Sequence, residues 1–399
     1  SKSLTKACLQ GIPCSRYFEI IFTTGYNSHI MKKKVIIMFG GVSAEHEVSI
    51  ITGLQVVESI DRSQFEPYVI YVSKDGELQY LHNLESRTEW KTAPRKKASF
   101  GKDKDGGYVS LGGFPEKKVY PYASYFAFHG GTGEAGPWQG VMEALGIPFT
   151  SPSMEASVIS MNKEITKSLA NKFGVKTVNG KSFFSDEIQS NPKDVVGKIL
   201  ADQKFPLIIK PAHFGSSIGI GIAKSETELE MKLLESSRVD REILVEDYIE
   251  DKVDYNSSIK SINGEIIISE IERPLTDDEV LSFADKYKKG GKKTGGAGMA
   301  TLARELPAKL PAGLKERIHQ TAKIVYRACR LKGMVRIDFL HSPSTDSLYL
   351  NEVNPIPGSM SFYLWEASGE LFKDQITELL EESVRANEES KSLVYDYHT

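Results

Sequence analysis

Two stretches near the C-terminal end carry side chains suited to binding a hard cation and phosphate. Arg336-Ile337-Asp338-Phe339-Leu340 and Leu348-Tyr349-Leu350-Asn351-Glu352-Val353-Asn354 flank Pro343 and polar neighbours that suggest a turn, so together they read as a β-hairpin. Alternation along a strand puts Arg336 and Asp338 on one face and Ile337 and Phe339 on the other. On the partner strand, Glu352 and Asn354 share a face. If the two faces coincide, two carboxylates and an amide oxygen converge beside an arginine, a hard oxygen set that suits Mg²⁺ together with phosphates and water. The same residues would also make a solvated hairpin face held by salt bridges. The segment that follows, Asn354-Pro355-Ile356-Pro357-Gly358, favours a site, because so rigid a turn can aim a backbone N–H at a ligand.

Lys210-Pro211-Ala212-His213-Phe214-Gly215-Ser216-Ser217-Ile218-Gly219-Ile220-Gly221 runs from an apolar strand into a Gly/Ser loop. Its backbone N–H groups could cradle phosphates beside the lysine, although it matches neither a Walker A loop nor a GxGxxG turn, and a plain hairpin turn would look similar. His213 reads as a bystander. Further upstream, Gly40-Gly41-Val42-Ser43-Ala44-Glu45 forms a strand-to-helix turn, where open α/β sheets bind ligands. Glu45 also suits the first turn of a helix on electrostatic grounds alone. His129-Gly130-Gly131-Thr132-Gly133-Glu134 is a second such segment, and could be a mere loop.

The elements that must position these groups alternate along the chain. Strand 35–39 leads into a helix from about Ser43, its expected N-cap, with Ile50, Leu54 and Val57 on one apolar face. Strands at 67–72 and within 119–128 complete a βαβ pattern and a parallel sheet, and the charged stretch 86–118 reads as a surface insertion. A helix over 154–173 precedes strands at 205–211, 218–223 and 244–249, with a helix from about Ser225 between the last two. Strands 255–262 and 266–271 are joined by Asn263-Gly264, a strong hairpin turn. Residues 284–300 are basic and Gly-rich and read as a mobile loop. A helix at 313–331, the strand pair 334–340 and 347–354, and a helix at 370–387 complete the chain. The expected units are 1–30 (an extension or an expression remnant), 31–150, 151–248, 249–388 and a tail, 389–399.

Composition narrows the function classes. The chain has 399 residues, 40% hydrophobic and 26% charged, which describes neither a disordered nor a membrane-spanning protein. A net charge of −3 gives no electrostatic case for a nucleic-acid partner. Cys8, Cys14 and Cys329 are too scattered for a disulfide framework or a zinc site. The expectation is a cytoplasmic protein with neither nucleic acid nor membrane as partner.

Taken together and in order, GGVSAEHEVS, HGGTGE, QGVMEALGIPFTSP, MNK, KPAHFGSSIGI, ADKY, RIDF and NEVNPIPGSM resemble the D-alanine–D-alanine ligases of the ATP-grasp superfamily, from about Met31 to about residue 388. The resemblance implies an α/β fold of three-domain ATP-grasp architecture, with an N-terminal Rossmann-like parallel-sheet domain that binds substrate. The implied activity is ATP-dependent joining of two D-alanines through an acyl phosphate, for peptidoglycan precursors. ATP and two Mg²⁺ ions, with Mn²⁺ as a substitute, and a homodimer are implied with it. Residue by residue, Asp338, Glu352 and Asn354 would be the metal ligands. Lys163 and Lys210 would hold ATP phosphates, Glu246 would meet the adenine amino group, Asp254 the ribose, and Lys286 the γ-phosphate. Glu45 and His129 would bind the first D-alanine, through its ammonium and on its carboxylate side. Arg336 and the Gly358 N–H would stabilise the oxyanion, and Ser216 and Tyr287 would bond to each other and to Glu45. Tyr363, following Phe362, stands where many members have a His-Ser pair near the second substrate. Asp254 stands for the family's Glu with one residue inserted before it, and the loop 288–298 is unusually rich in Gly and Lys. Tyr287 favours the dipeptide product. The rivals are a ligase that joins D-alanine to D-serine or D-lactate, and a nucleotide-binding regulator without catalysis.

Overall fold

The run Val35–Phe39 lacks polar alternation because both of its faces are covered; all five residues are fully buried. In the computed structural model, which describes residues 31–113, 115–275 and 303–392, they form the centre of β1 (Lys33–Gly40). The helix α1 (His46–Ser59) crosses to β2 (Phe65–Val72), parallel to β1. It starts three residues later than expected: Ser43 Oγ accepts from the Glu45 N–H at 3.0 Å, outside the helix. Ile50, Leu54 and Val57 are buried, the expected apolar face.

The stretch read as an insertion is instead folded. After β3 (Leu78–Leu81), β4 (Arg95–Lys97) extends the first sheet, and β5 (Ser99–Asp103), β6 (Gly106–Ser110) and β7 (Lys118–Val119) form a sheet of their own. All three residues of β4 are exposed cations, a common way of protecting a sheet edge from further pairing; that charge is what disguised the strand. With β8 (Ala123–Phe126), parallel to β1, the order is β4-β3-β2-β1-β8, a parallel centre with an antiparallel edge.

The helix α2 (Pro137–Leu145) leads to a second departure. Instead of one helix over 154–173 there are two, α3 (Met154–Met161) and α4 (Lys163–Lys172). Asn162 breaks them: its Oδ1 accepts from the Ile165 N–H at 3.0 Å and its Nδ2 donates to Glu242 at 2.8 Å. Lys163 thereby opens a helix, at its partially positive end. The central sheet is antiparallel, ordered β11-β10-β12-β9, from β9 (Gly180–Phe184), β10 (Leu207–Pro211), β11 (Gly221–Ala223) and β12 (Glu242–Asp247). Its apolar face packs on α5 (Pro192–Leu200) and on α6 (Glu226–Ser236), which Ser225 caps as expected.

Apart from the small sheet of β5 to β7, a third sheet follows, antiparallel and ordered β15-β14-β13-β16-β17. Its strands are β13 (Val253–Ile262), β14 (Glu265–Pro274), β15 (Arg304–Glu305), β16 (Met334–Ser342) and β17 (Ser347–Asn354). Tyr255, Ile259, Ile337, Phe339 and Val353 share a core with α7 (Leu314–Ala328). α8 (Phe362–Ala367) and α9 (Phe372–Lys391) carry Trp365, Ile376 and Leu380 into the core of the first sheet. The expected loop 284–300 lies outside the described residues. Among the described residues no helix is long and apolar enough to cross a membrane.

Candidate functional site

The face of the third sheet opposite its core is polar. β16 and β17 pair with Arg336 opposite Asn354 and Asp338 opposite Glu352, so the two polar faces of the hairpin coincide. Arg336 grips Asp338 through both carboxylate oxygens, at 2.7 Å each, and both residues are buried. Asn354 donates its amide N–H to Asp338 Oδ2 at 3.0 Å, which turns its own amide oxygen away from Asp338. Burial raises the Asp338 carboxyl against the pull of the Arg336 fork. Past Asp338 the register shifts, and Asn351 becomes the extra residue of a β-bulge.

Asp338, Glu352 and Asn354 offer hard oxygens and neither sulfur nor imidazole, a donor set that fits magnesium. Among the described residues no three His, Cys, Asp or Glu side chains form a metal cage by themselves. The trio would therefore hold a cation only together with phosphate oxygens and water. Lys163 lies beside it, its Nζ donating to Phe214 O at 2.7 Å and standing 3.6 Å from Glu352.

On the central sheet Lys210 and Glu246 are buried together. Lys210 Nζ donates to Glu246 Oε2 at 2.7 Å and to Asn351 Oδ1 at 3.2 Å, and Lys167 donates to Glu246 Oε1. Burial presses the Glu246 carboxyl upward, but Lys167 and Lys210 outweigh it and hold it at about 2. Burial brings Lys167 down to about 8. Glu246 also borders a cavity of about 330 Å³ lined by Lys167 and Gly180. Asp254, the expected ribose partner, is part exposed and pairs with Lys252 at 2.6 Å.

The first sheet supplies the remaining wall. Glu45 accepts from Ser216 Oγ, and the close approach depends on glycines: a Cβ on Gly130 would stand 2.8 Å from Glu45 Oε2, and one on Gly215 3.2 Å. His129 is buried and spends both ring nitrogens within the protein. Its Nδ1 donates to Ile356 O at 2.9 Å, leaving Nε2 to accept from Thr52 Oγ1 at 2.8 Å; burial lowers its pKa to about 4, so it is neutral. Thr52 Oγ1 in turn accepts from the Ser359 N–H at 3.2 Å. His129 thus fixes the turn after β17 rather than leaving a nitrogen for a substrate carboxylate. In that turn Ser359, Met360 and Ser361 all have φ near +50°, and all three are buried. For non-glycine residues this costs roughly 1–2 kcal/mol each, the kind of strain that marks functional turns.

Sequence reasoning quoted Glu134 within a motif but gave it no role. It is buried, and its two oxygens accept from the Gly130 N–H at 2.7 Å and the Ile356 N–H at 3.0 Å, tying two loops together. Burial, then the Glu45 charge, pushes its carboxyl up to about 8. Between about 4.5 and 8 the folded chain binds a proton that the unfolded chain has lost, so this contribution to stability is complete below about 4.5 and fades as pH rises through 8. Thermal melting is expected to show an alkaline fall of up to a few kcal/mol between pH 6 and 9 that Glu134→Gln flattens, although Gln, unable to accept both N–H bonds, starts lower. An equal alkaline fall in both proteins would remove Glu134 as its cause. Lys167 was missed too, although its position four residues after Lys163 on one helix face was a signal. Lys286 and Tyr287 lie outside the described residues.

Glu45, His129, Glu134, Lys163, Gly215, Ser216, Arg336, Glu352, Asn354 and Gly358 line one narrow cavity. Glu45 and Glu352 line it with Lys163 and Arg336, and Glu134, protonated below about pH 8, adds no charge at neutral pH; the carboxylates at the Glu45 end suit a ligand's ammonium group. A larger cavity of about 520 Å³, rimmed by Arg327, Arg330 and Lys332, lies away from all of these residues; volume alone does not make it the reaction site.

Known proteins resemble the chain over most of its length. Residues 34–152 match the family described as D-ala D-ala ligase N-terminus, and 169–381 the one described as D-ala D-ala ligase C-terminus. The D-alanine–D-alanine ligase of Thermosipho africanus is 31% identical over 373 residues, covering 91% of this chain and 96% of the relative. Among solved structures, the D-alanine–D-alanine ligase of Coxiella burnetii superposes with a TM-score of 0.74 at 22% identity, over 90% of this chain and 96% of that one. The VanG D-Ala:D-Ser ligase of Enterococcus faecalis has a TM-score of 0.74 at 24% identity, over 88% and 99%. At those identities the two structures speak for the fold alone.

Proposed function

The chain belongs to the D-alanine–D-alanine ligase family and is an ATP-dependent enzyme that joins two D-alanines; we propose that the narrow cavity around Arg336 is where it does so. The observation that carries the assignment is the coincidence of the Arg336/Asp338 and Glu352/Asn354 faces beside Lys163 and Glu45.

Asp338, Glu352 and Asn354 would hold two Mg²⁺ ions, or Mn²⁺ in their place, which neutralise phosphate charge when bound. Lys163 and Lys210 steady the ATP phosphates, and Lys286 is assigned the γ-phosphate by family resemblance. Glu246, with Lys167 and Lys210 on its oxygens, meets the adenine amino group, and Asp254 the ribose. Glu45 holds the ammonium of the first D-alanine, with Glu134 adding charge when ionised. A carboxylate oxygen of that D-alanine attacks the γ-phosphorus, the bond to ADP breaks, and an acyl phosphate forms. The amine of the second D-alanine, having given up a proton, attacks the carbonyl carbon. Arg336 and the Gly358 N–H stabilise the oxyanion, and phosphate leaves. His129 acts at one remove, holding the turn that presents Gly358. Ser216, bonded to Glu45, and by resemblance Tyr287 keep the donor end closed, protecting the acyl phosphate from water. Tyr363 lines the acceptor end. Work in the cytoplasm as a homodimer is inferred from the family likeness.

The assignment of Glu45 is tested by Glu45→Gln. Losing a charged partner for the ammonium is expected to raise the KM for the first D-alanine by at least about tenfold, with the KM for ATP changed less than about threefold. Equal effects on both would place Glu45 elsewhere in the reaction.

A further inference from the structure

Glu272 is a buried carboxylate that neither chemical step uses. It stands on β14 opposite Asn256 of β13, which stands opposite Asp338 of β16, which in turn faces Glu352 of β17. One row of side chains therefore crosses four strands, from the cation ligands at one end to Glu272 at the other, at about 4.8 Å per strand.

Both oxygens of Glu272 are committed. Oε1 accepts from Asn256 Nδ2 at 3.0 Å and from the Tyr363 hydroxyl at 3.1 Å; Oε2 accepts from Arg304 Nη1 at 2.7 Å. The Arg304 guanidinium also lies 3.9 Å from the centre of the Tyr363 ring. Tyr363 is thus held at its hydroxyl by Glu272 and across its face by Arg304, and its hydroxyl proton is turned to Glu272. A buried pair of this kind adds little net stability compared with an apolar replacement. What it supplies here is a fixed position for an aromatic ring.

We propose that Glu272 and Arg304 are positioning residues that lock Tyr363 as a rigid wall at the acceptor end of the site, and that this wall sets the size of acceptor side chain the enzyme takes. The inference rests on the reading of Tyr363 as an acceptor-side residue. A wall that cannot swing penalises each added methylene, an effect worth roughly 10–200-fold in hydrophobic pockets generally. A tyrosine freed from its clamp can rotate and give way.

The test offers the full-length enzyme D-alanine and D-2-aminobutyrate at equal concentrations with ATP and Mg²⁺, and measures the dipeptides by mass, with fragmentation to order the residues. The unaltered chain is expected to make D-alanyl-D-alanine in at least about tenfold excess over D-alanyl-D-2-aminobutyrate. Arg304→Met is expected to raise the share of the mixed dipeptide about tenfold or more and to raise the KM for the second D-alanine. The KM values for ATP and the first D-alanine should stay within about twofold. Arg304→Lys, which keeps the charge on Glu272 but not the flat stack on Tyr363, should fall between. If Arg304→Met does not fold, Glu272→Gln gives the same readout. Loss of overall rate or thermal stability with an unchanged product ratio would overturn the proposal and leave the pair as scaffold. No dipeptide at all from the unaltered chain would instead overturn the ligase reading, and this inference with it.

Discussion

Arg336→Lys is expected to lower kcat/KM for dipeptide formation by about 10²–10³-fold while leaving the KM for ATP within about threefold. The reason is geometric. The guanidinium fork fills both oxygens of Asp338 at 2.7 Å and still presents N–H groups toward the cavity it lines with Gly358. An ammonium keeps the charge but cannot make the fork and face a developing oxyanion together. Arg336→Met would go further, leaving Asp338 buried without its cation at a cost of about 3–5 kcal/mol, so the lysine variant is the cleaner test of chemistry. Phosphate release under saturating ATP gives the answer. A loss smaller than about fivefold would mean that Arg336 serves Asp338 and not the reaction.

Glu246→Gln is expected to destabilise the fold by about 3–5 kcal/mol, visible as a fall in Tm of roughly 5 °C or more. Lys167 and Lys210 both point at this carboxylate from within the protein, and without its charge they would face each other unpaired. Removing one of them should restore much of the loss, so Lys167→Met/Glu246→Gln should melt above Glu246→Gln alone. The pH dependence follows from the same pair. With the Glu246 carboxyl held at about 2, its contribution is complete above the ordinary carboxylate range near 4.5 and disappears only as pH falls through about 2. The difference in stability between the unaltered chain and Glu246→Gln should therefore shrink as pH falls below about 4, and should also narrow on the alkaline side, where the buried lysines of the variant shed a proton. A difference that stayed constant down to about pH 2 would contradict the ion-pair account.

Parts of this site could be read in the sequence because they obey local rules. Arg336, Asp338, Glu352 and Asn354 are separated by even numbers within two strands joined by a short turn, so alternation and antiparallel pairing suffice to bring them together. The buried strand around Val35–Phe39 and the Asn263-Gly264 turn were legible for the same reason. The break at Asn162 was not, because the periodic pattern runs through it and the competing bond comes from Glu242, eighty residues away. The edge strand β4 within 86–118 was hidden by Arg95, Lys96 and Lys97, the exposed cations that protect it from further pairing. The clamp of Glu272 and Arg304 on Tyr363, and that of Lys167 on Glu246, join residues with no spacing rule between them; only the fold makes them neighbours. His129 shows the converse: its motif was visible, but its partners, Thr52 and Ile356, came from the packing of the first sheet against the turn after β17.

The central claim is tested most directly by incubating the full-length chain with ATP, Mg²⁺ and D-alanine alone, following phosphate release and identifying the product by mass. The account predicts one D-alanyl-D-alanine for each phosphate released, and none when D-alanine or ATP is omitted. Phosphate release without dipeptide, or dipeptide only when D-serine or D-lactate is supplied as acceptor, would contradict it.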